Sequence, residues 1–324
     1  MFNLSCRGEQ DNLKKYDKND IKNMLLYVED IDGKGGLGDF YFGDIILLDL
    51  NSKQKYIVDK NKYYDVHPNY VPDRHSIIFE SKREKGKYLT GLSQRSTLYE
   101  FDLIRKETKN LIIPPLRDPS HSFKGPAYSE KTGNLAFMKI EGWRKTIIFT
   151  YNFQTKKTNN LDTLSHTPDS FMWSSDGNYL ICFFSIINFR NISKSKKFIV
   201  IYDVNKRKKY VYNLKKENIF KLITLAFMEN NNLYAFTKDD DKSSTLIRVT
   251  VSDEELQVME IKKFFGLYEI PYGVKIADGT IAFIGSIYEN KILEDDIYIY
   301  DIKSDKLERL THDGHSKGYL KYIR

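Results

Sequence analysis

Five of the six histidines in this 324-residue chain, His67, His121, His166, His312 and His315, stand just ahead of apolar runs. Imidazole is the commonest metal ligand and, once protonated, a good partner for anions. Three such rings meeting about 2.0–2.1 Å from one point would hold Zn²⁺ or a similar ion. The plainer reading is a repeated residue that hydrogen-bonds the backbone at the entry to a strand. Arg117, Tyr268 and Glu269 occupy comparable segments and could meet the carboxylates or rings of a ligand. Other chemistry is harder to find. No G-x-S-x-G or H-E-x-x-H occurs. Gly33 to Gly38 fits G-x-G-x-x-G, but phosphate binding there needs a following helix N-terminus. Asp39-Phe40-Tyr41-Phe42 leads into a strand instead, so a surface loop is expected. Asp239-Asp240-Asp241 and Glu294-Asp295-Asp296 lack the ligand spacing of a calcium loop. Both are expected to be exposed turns.

Positioning these residues falls to a repeat. Phe171-Met172-Trp173 and Tyr179-Leu180-Ile181-Cys182-Phe183-Phe184 flank a turn at Asp176-Gly177. Glycine suits that turn because it accepts positive φ. Weaker copies begin at His67, Gly125, Leu225 and Tyr272. Each is followed by an apolar strand ending in a small polar residue, at positions 49, 102, 152, 203, 250 and 301. Those ends are 53, 50, 51, 47 and 51 residues apart. A short fourth strand follows each. Four strands per repeat and six repeats predict an all-β, six-bladed β-propeller of four-stranded antiparallel blades.

The first copy has no opening strand before Met24-Leu25-Leu26-Tyr27-Val28. The chain finishes with Gly318-Tyr319-Leu320-Lys321-Tyr322-Ile323, an opening strand with nothing after it. The two fragments are expected to complete blade one and close the ring, which removes two exposed sheet edges. The order of Pro, aromatic, Ser, Asp-Gly, apolar strand, Tyr-Asp and Leu-Thr resembles the tandem repeats of TolB-type six-bladed propellers over residues 22–324. It is clearest at 67–103, 171–204 and 272–311, and degenerate in blade five. The resemblance specifies fold better than function, because similar repeats occur in periplasmic scaffolds, peptidase propellers and pectin-fragment lyases.

Aromatic residues make up 14% of the chain, with 23 Tyr and 20 Phe, ample for a packed core. No run approaches the roughly 20 apolar residues of a membrane span. The net charge of +7 is spread along the sequence, so no nucleic-acid partner is expected. Cys182 sits in a core strand as an apolar filler. Cys6, in Phe2-Asn3-Leu4-Ser5-Cys6, resembles the end of a lipoprotein signal, and the charged residues behind it read as a polar tether. The expected division is a tether over 1–20 and a propeller over 21–324. Membrane attachment would come only through lipidation of Cys6. With so few residues ahead of Cys6, a cytoplasmic location is the alternative.

In an up-and-down blade, the loop between strands two and three opens on the same side as the crossover to the next blade. The long connections 30–42, 82–96, 186–197 and 285–295 all fall on that crossover side. Elaborated loops on a rigid scaffold mark a functional face. The expectation is a monomeric, non-catalytic binding or scaffold protein of the bacterial cell envelope, without a cofactor. It would recognise a protein or glycan at the channel mouth through His67, His121, His166, His312, His315, Arg117, Tyr268 and Glu269. The likeness to pectin-fragment lyases implies an alternative, a metal-dependent lyase on acidic oligosaccharides. A divalent ion would then sit among His67, His121, His166 and His312, with Arg117 assisting proton abstraction. That family has one blade more than is counted here.

Overall fold

An acidic or amide side chain closes nearly every outer hairpin, and this explains the periodic polar residue. In the computed structural model, Asp49 accepts from the Asn51 amide (2.8 Å), Asp102 from Ile104 (2.9 Å), Asn152 from Thr155 (2.8 Å), Asp203 from Lys206 (2.9 Å) and Asp301 from Ser304 (2.7 Å). Short polar side chains mimic a backbone turn in this way. The residue four positions on is left-handed each time: Lys53, Lys106, Lys156, Arg207 and Asp305, with φ between 53° and 60°. A left-handed residue after a tight turn matches the twist of the flanking strands. L-residues resist that conformation by roughly 1–2 kcal/mol, which glycine escapes at some cost in chain entropy. Lys156→Gly and Arg207→Gly are therefore each expected to stabilise the protein by about 0.5–1 kcal/mol, additively because the turns are distant. Urea midpoints that fall would show that these side chains contribute more than their backbone strain costs.

The structure describes residues 21–30, 43–60, 63–83, 96–117, 121–141, 145–186, 196–214, 223–240, 242–251, 256–289, 292–313 and 315–324. Blade one contains Met24–Glu29 (β1), Asp44–Asp49 (β2) and Lys55–Asp59 (β3). Blade two is Asp65–Val71 (β4), Ser76–Ser81 (β5), Thr97–Asp102 (β6) and Glu107–Asn110 (β7). Blade three is Ser122–Ser129 (β8), Asn134–Ile140 (β9), Thr146–Asn152 (β10) and Thr158–Leu164 (β11). Blade four is Ser170–Trp173 (β12), Tyr179–Ile186 (β13), Lys196–Asp203 (β14) and Lys208–Asn213 (β15). Blade five is Ile223–Glu229 (β16), Asn232–Asp240 (β17), Ser243–Val251 (β18) and Leu256–Phe265 (β19). Blade six is Glu269–Ala277 (β20), Thr280–Glu289 (β21), Ile292–Asp301 (β22) and Lys306–Arg309 (β23). The last strand, Lys317–Ile323 (β24), pairs antiparallel with β1, Met24 opposite Ile323, and gives blade one the order β24-β1-β2-β3. The ring is closed as the repeat predicts.

Six apolar clusters lie between neighbouring blades. Successive side chains on a strand point to opposite faces, so each middle strand feeds two of them. Met24 and Leu26 pack toward blade two, while Leu25 and Tyr27 pack toward Ala282, Ile284 and Ile297 of blade six. Ile181 and Phe183 face blade five, and Leu180, Cys182 and Phe184 face blade three. Burial on both faces is why these strands read as unbroken apolar runs rather than alternating ones. Cys182 is fully buried, and desolvation pushes its thiol well up, as an inert core residue requires.

Two expectations change. The connection placed at 285–295 is mostly strand: β21 and β22 each run for 10 residues and pair as far as Glu289 with Ile292. Glu294-Asp295-Asp296 is accordingly inside β22, with Asp295 and Asp296 buried. Asp239 is likewise in β17, where Thr237 and Thr245 donate to its carboxylate. The loops expected at 30–42, 82–96 and 186–197 lie largely outside the described residues, as do the segment 1–20 and Cys6.

Candidate functional site

The inner strands of blades one to three share an irregularity that shapes the crossover-side mouth of the channel. Pairing slips between Val66 and Asn69 in β4, between Lys124 and Ala127 in β8, and opposite Leu26 and Val28 in β24. The inserted pairs are His67-Pro68, Gly125-Pro126 and Tyr319-Leu320. Their first residues are left-handed, at φ 54°, 57° and 60°. Bulges of this kind re-aim a side chain. Gly125 adopts the conformation freely, whereas His67 and Tyr319 hold it against about 1–3 kcal/mol each. The result is that the His67 and Tyr319 rings meet, with centroids 4.2 Å apart.

Buried Glu80 of β5 supports the arrangement by accepting from the Gly125 amide at 2.9 Å. His67 Nδ1 stands 3.3 Å from the same carboxylate oxygen, close enough for charge interaction but not aligned as a hydrogen bond. Burial works to raise the Glu80 carboxyl, and His67 with the Gly125 amide outweighs it, holding the group below its ordinary value. Tyr272 of β20 packs 4.9 Å from Tyr319. Burial, then coupling to Tyr272 and Tyr64, pushes the Tyr319 phenol well up, so it stays neutral. The Lys82 ammonium lies 4.4 Å over the Tyr64 ring, and burial followed by the nearby Lys124 lowers its amine. The mouth thus carries aromatic rings under positive charge.

Blades five and six extend the same face. Lys238 sits 3.3 Å over the ring of Tyr268, and Tyr268 lies 6.3 Å from Tyr288 near the tip of β21. Lys263 lies 5.4 Å over Phe265. Phe265 is 80% exposed and Tyr288 60% exposed, unusual for such rings in adjoining blades. Beside them Glu269, first residue of β20, is half-buried, and desolvation raises its carboxyl against the pull of Lys238.

The remaining predicted residues scatter. His67 is the third residue of β4 rather than part of a crossover. His121 Nε2 lies 3.9 Å from Glu141, which Lys139 and Lys145 pull down to about 2. His166 is exposed and shares a 2.9 Å hydrogen bond with Ser165, and His312 is exposed. Arg117 ends a 3-10 turn, Pro114–Arg117, and its side chain lies outside the described residues. Among the described residues, one group of three brings metal-ligand atoms within 4.8 Å of each other: Glu29, Asp313 and His315. None of His67, His121, His166 or His312 belongs to it.

That group is part of a charge network along the seam between blades six and one, which composition and motif gave no reason to expect. Glu29 accepts from Tyr27 and Lys55, both at 2.9 Å, and meets His315 Nδ1 at 2.7 Å. Asp313 accepts from Lys55 and Lys317. Burial would raise the Asp313 carboxyl, yet the two ammonium groups hold it well below the carboxylate range. Two carboxylates already face two lysines, so the group is charge-balanced as it stands. Alongside, Asp296 accepts from Arg309 Nε (2.9 Å) and Thr311 (2.7 Å), and Asp295 accepts from Ser286 (2.6 Å) and the Lys317 amide (3.1 Å). The available signal was positional: Glu29 ends a wholly apolar strand, where a lone charge needs a buried partner.

By sequence, no protein-family profile and no curated protein matches the chain. Solved structures do match. TolB from Acinetobacter baumannii superposes with a TM-score of 0.61 at 14% identity, covering 92% of this chain and 66% of TolB, so the chain spans just under two thirds of that protein. An oligogalacturonate lyase in complex with manganese gives 0.55 at 12% identity over 89% of this chain and 73% of the lyase. A prolyl endopeptidase gives 0.52 at 10% identity over 91% of this chain and 41% of the enzyme. Identities this low carry the fold and not the activity. With its ring of six four-stranded blades and β24 closing the first, the chain has the TolB-like six-bladed β-propeller fold.

Proposed function

We propose that this chain is a non-catalytic binding or scaffold protein of the bacterial cell envelope whose crossover face takes a protein or glycan partner. The observation that carries this reading is the pair of exposed rings on blades five and six, Phe265 and Tyr288, with half-buried Tyr268 beside Tyr288 and Lys238 and Lys263 set over Tyr268 and Phe265. Rings of this kind anchor interfaces at low entropic cost, and large ones left exposed together suit a contact surface. Tyr288 stands near the tip of the β21–β22 hairpin, whose strands run for 10 residues each. Next to it, Glu269, His67 and Tyr319 supply polar groups at the channel mouth, and His121, His166, His312, His315 and Arg117 are the further candidates. Envelope placement draws on the TolB-like fold and on the Leu4-Ser5-Cys6 sequence, where Cys6 would carry the lipid. Among the described residues no helix is long and apolar enough to cross a membrane.

Photo-crosslinking in cells tests the face. Benzoylphenylalanine placed at Tyr288 or Phe265 is expected to trap a partner, and Tyr268→Ala is expected to reduce the yield. The same probe at Val211, an exposed residue on the outer strand of blade four, is expected to trap none. Adducts at Val211 alone, or equal adducts at all three positions, would reject the assignment.

A further inference from the structure

The opposite end of the channel holds a second feature, separate from the crossover face. Inner strands finish there, and their ends border an open cavity of 180 Å³ lined from blades three, four, five, six and one. Its wall is mixed: Met172, Trp173, Ala226, Phe227 and Val274 form an apolar part, beside Ser174, Ser175, Lys131 and Arg324. Lys321, from the middle of β24, also lines it. Protein surrounds this side chain, yet it remains partly accessible through the cavity.

Lys321 differs from Lys317 and Lys275, two other lysines of the inner strands. Lys317 is held by Asp313, and Lys275, on the same wall, by Glu229 (2.6 Å) and Asp278 (3.0 Å). No carboxylate among the described residues pairs with Lys321, and desolvation alone acts on its amine, lowering it. Glu130 is the one acidic side chain on the wall; burial pushes its carboxyl up against the pull of Arg324 and Lys131, which also line the cavity. A buried charge without a partner is costly. In a cavity open to solvent, that cost becomes affinity for an ion of opposite sign. Apolar cavities of about 150 Å³ accept benzene, so the space suits a body of that size.

We infer that this end of the channel binds a carboxylate carrying a small apolar body, with the charge on Lys321 and the body against Met172, Trp173 and Phe227. Two sources offer that chemistry: a free aryl or short alkyl acid, and the chain end of a peptide finishing in an apolar residue.

Titration calorimetry with benzoate, benzamide and acetyl-Gly-Gly-Phe tests the site. Benzoate is expected to bind at least about tenfold more tightly than benzamide, which has the same shape without the charge. Affinity is expected to weaken as pH rises through the lowered amine value, earlier than for an ordinary lysine. Lys321→Met should melt at or above the parent temperature, because it removes an unpaired charge, and should lose benzoate. Lys321→Gln should lose it too. Benzoate exceeding the peptide assigns a free acid, and the reverse assigns a chain end. Equal affinity for benzoate and benzamide, or a folded Lys321 variant that keeps benzoate, overturns the inference. These outcomes are independent of crosslinking at Tyr288.

Discussion

Deleting residues 317–324 is expected to abolish the folded ring. β24 brings Leu320 and Ile323, both almost fully buried, against two different neighbours: Leu320 into the blade six seam and Ile323 into the blade two seam. Each buried aliphatic side chain of this size stabilises by about 1.5–3 kcal/mol. The deletion also strips β1 of its inner hydrogen-bonding partner over Met24 to Glu29. It removes Lys317 as well, leaving Asp313 with one ammonium and Asp295 without the Lys317 amide. Losses of this kind approach the whole margin of about 5–15 kcal/mol that keeps a domain folded. Circular dichroism and size exclusion would read the outcome as lost cooperativity, aggregation or both. A truncated chain that melts cooperatively within a few degrees of the parent would show that blade one stands on three strands.

The second large effect is expected at Asp296. Its side chain has no exposure and takes donors from Arg309 and Thr311, whose own hydroxyl also accepts from the Ile297 amide at 3.0 Å. Removing one partner of a buried ion pair typically costs about 3–5 kcal/mol. Arg309 is 30% exposed and can regain some water, but the Lys317 ammonium 3.9 Å from Asp296 has no exposure. Asp296→Ala should therefore lower the melting temperature by about 4–7 °C for a chain of this length. The double variant Asp296→Leu with Arg309→Met should recover much of the loss, because an apolar pair leaves no stranded guanidinium. If the single variant melts like the parent, Arg309 has found another anion or water. If the double is no better than the single, the cost lies in Thr311 and the hairpin instead.

The architecture was legible because its cause is local and repeated. Five of the six outer hairpins place an acceptor at the end of the third strand, and Asp49, Asp102, Asn152, Asp203 and Asp301 announce it at nearly constant spacing. Closure was readable from two incomplete repeats. Far less of the site could be read. Glu294-Asp295-Asp296 carries the propensity of a turn, and only partners distant in sequence, Ser286, Arg309, Thr311 and Lys317, make it a buried strand. The histidines stood at comparable places in the repeat, but equivalence in sequence does not make rings converge. His67 turns inward on a bulge toward Tyr319, whereas His166 stays at the surface. Lys321 was invisible as a special residue, because nothing local distinguishes a paired lysine from an unpaired one.

Sharing blade one between distant parts of the sequence also sets a timetable for biogenesis. β1 to β3 leave the ribosome before the other blades, while the strand that must lie beside β1 follows more than 250 residues after β3. At a synthesis rate of about 5–20 residues per second, that sheet waits roughly a quarter of a minute to a minute with an open, apolar flank. Met24 to Val28, five consecutive buried side chains in the finished molecule, are the stretch that must be shielded meanwhile. A chaperone that holds this nascent segment, and lets go only when Ile323 has emerged, would protect the yield of folded rings without touching their final stability.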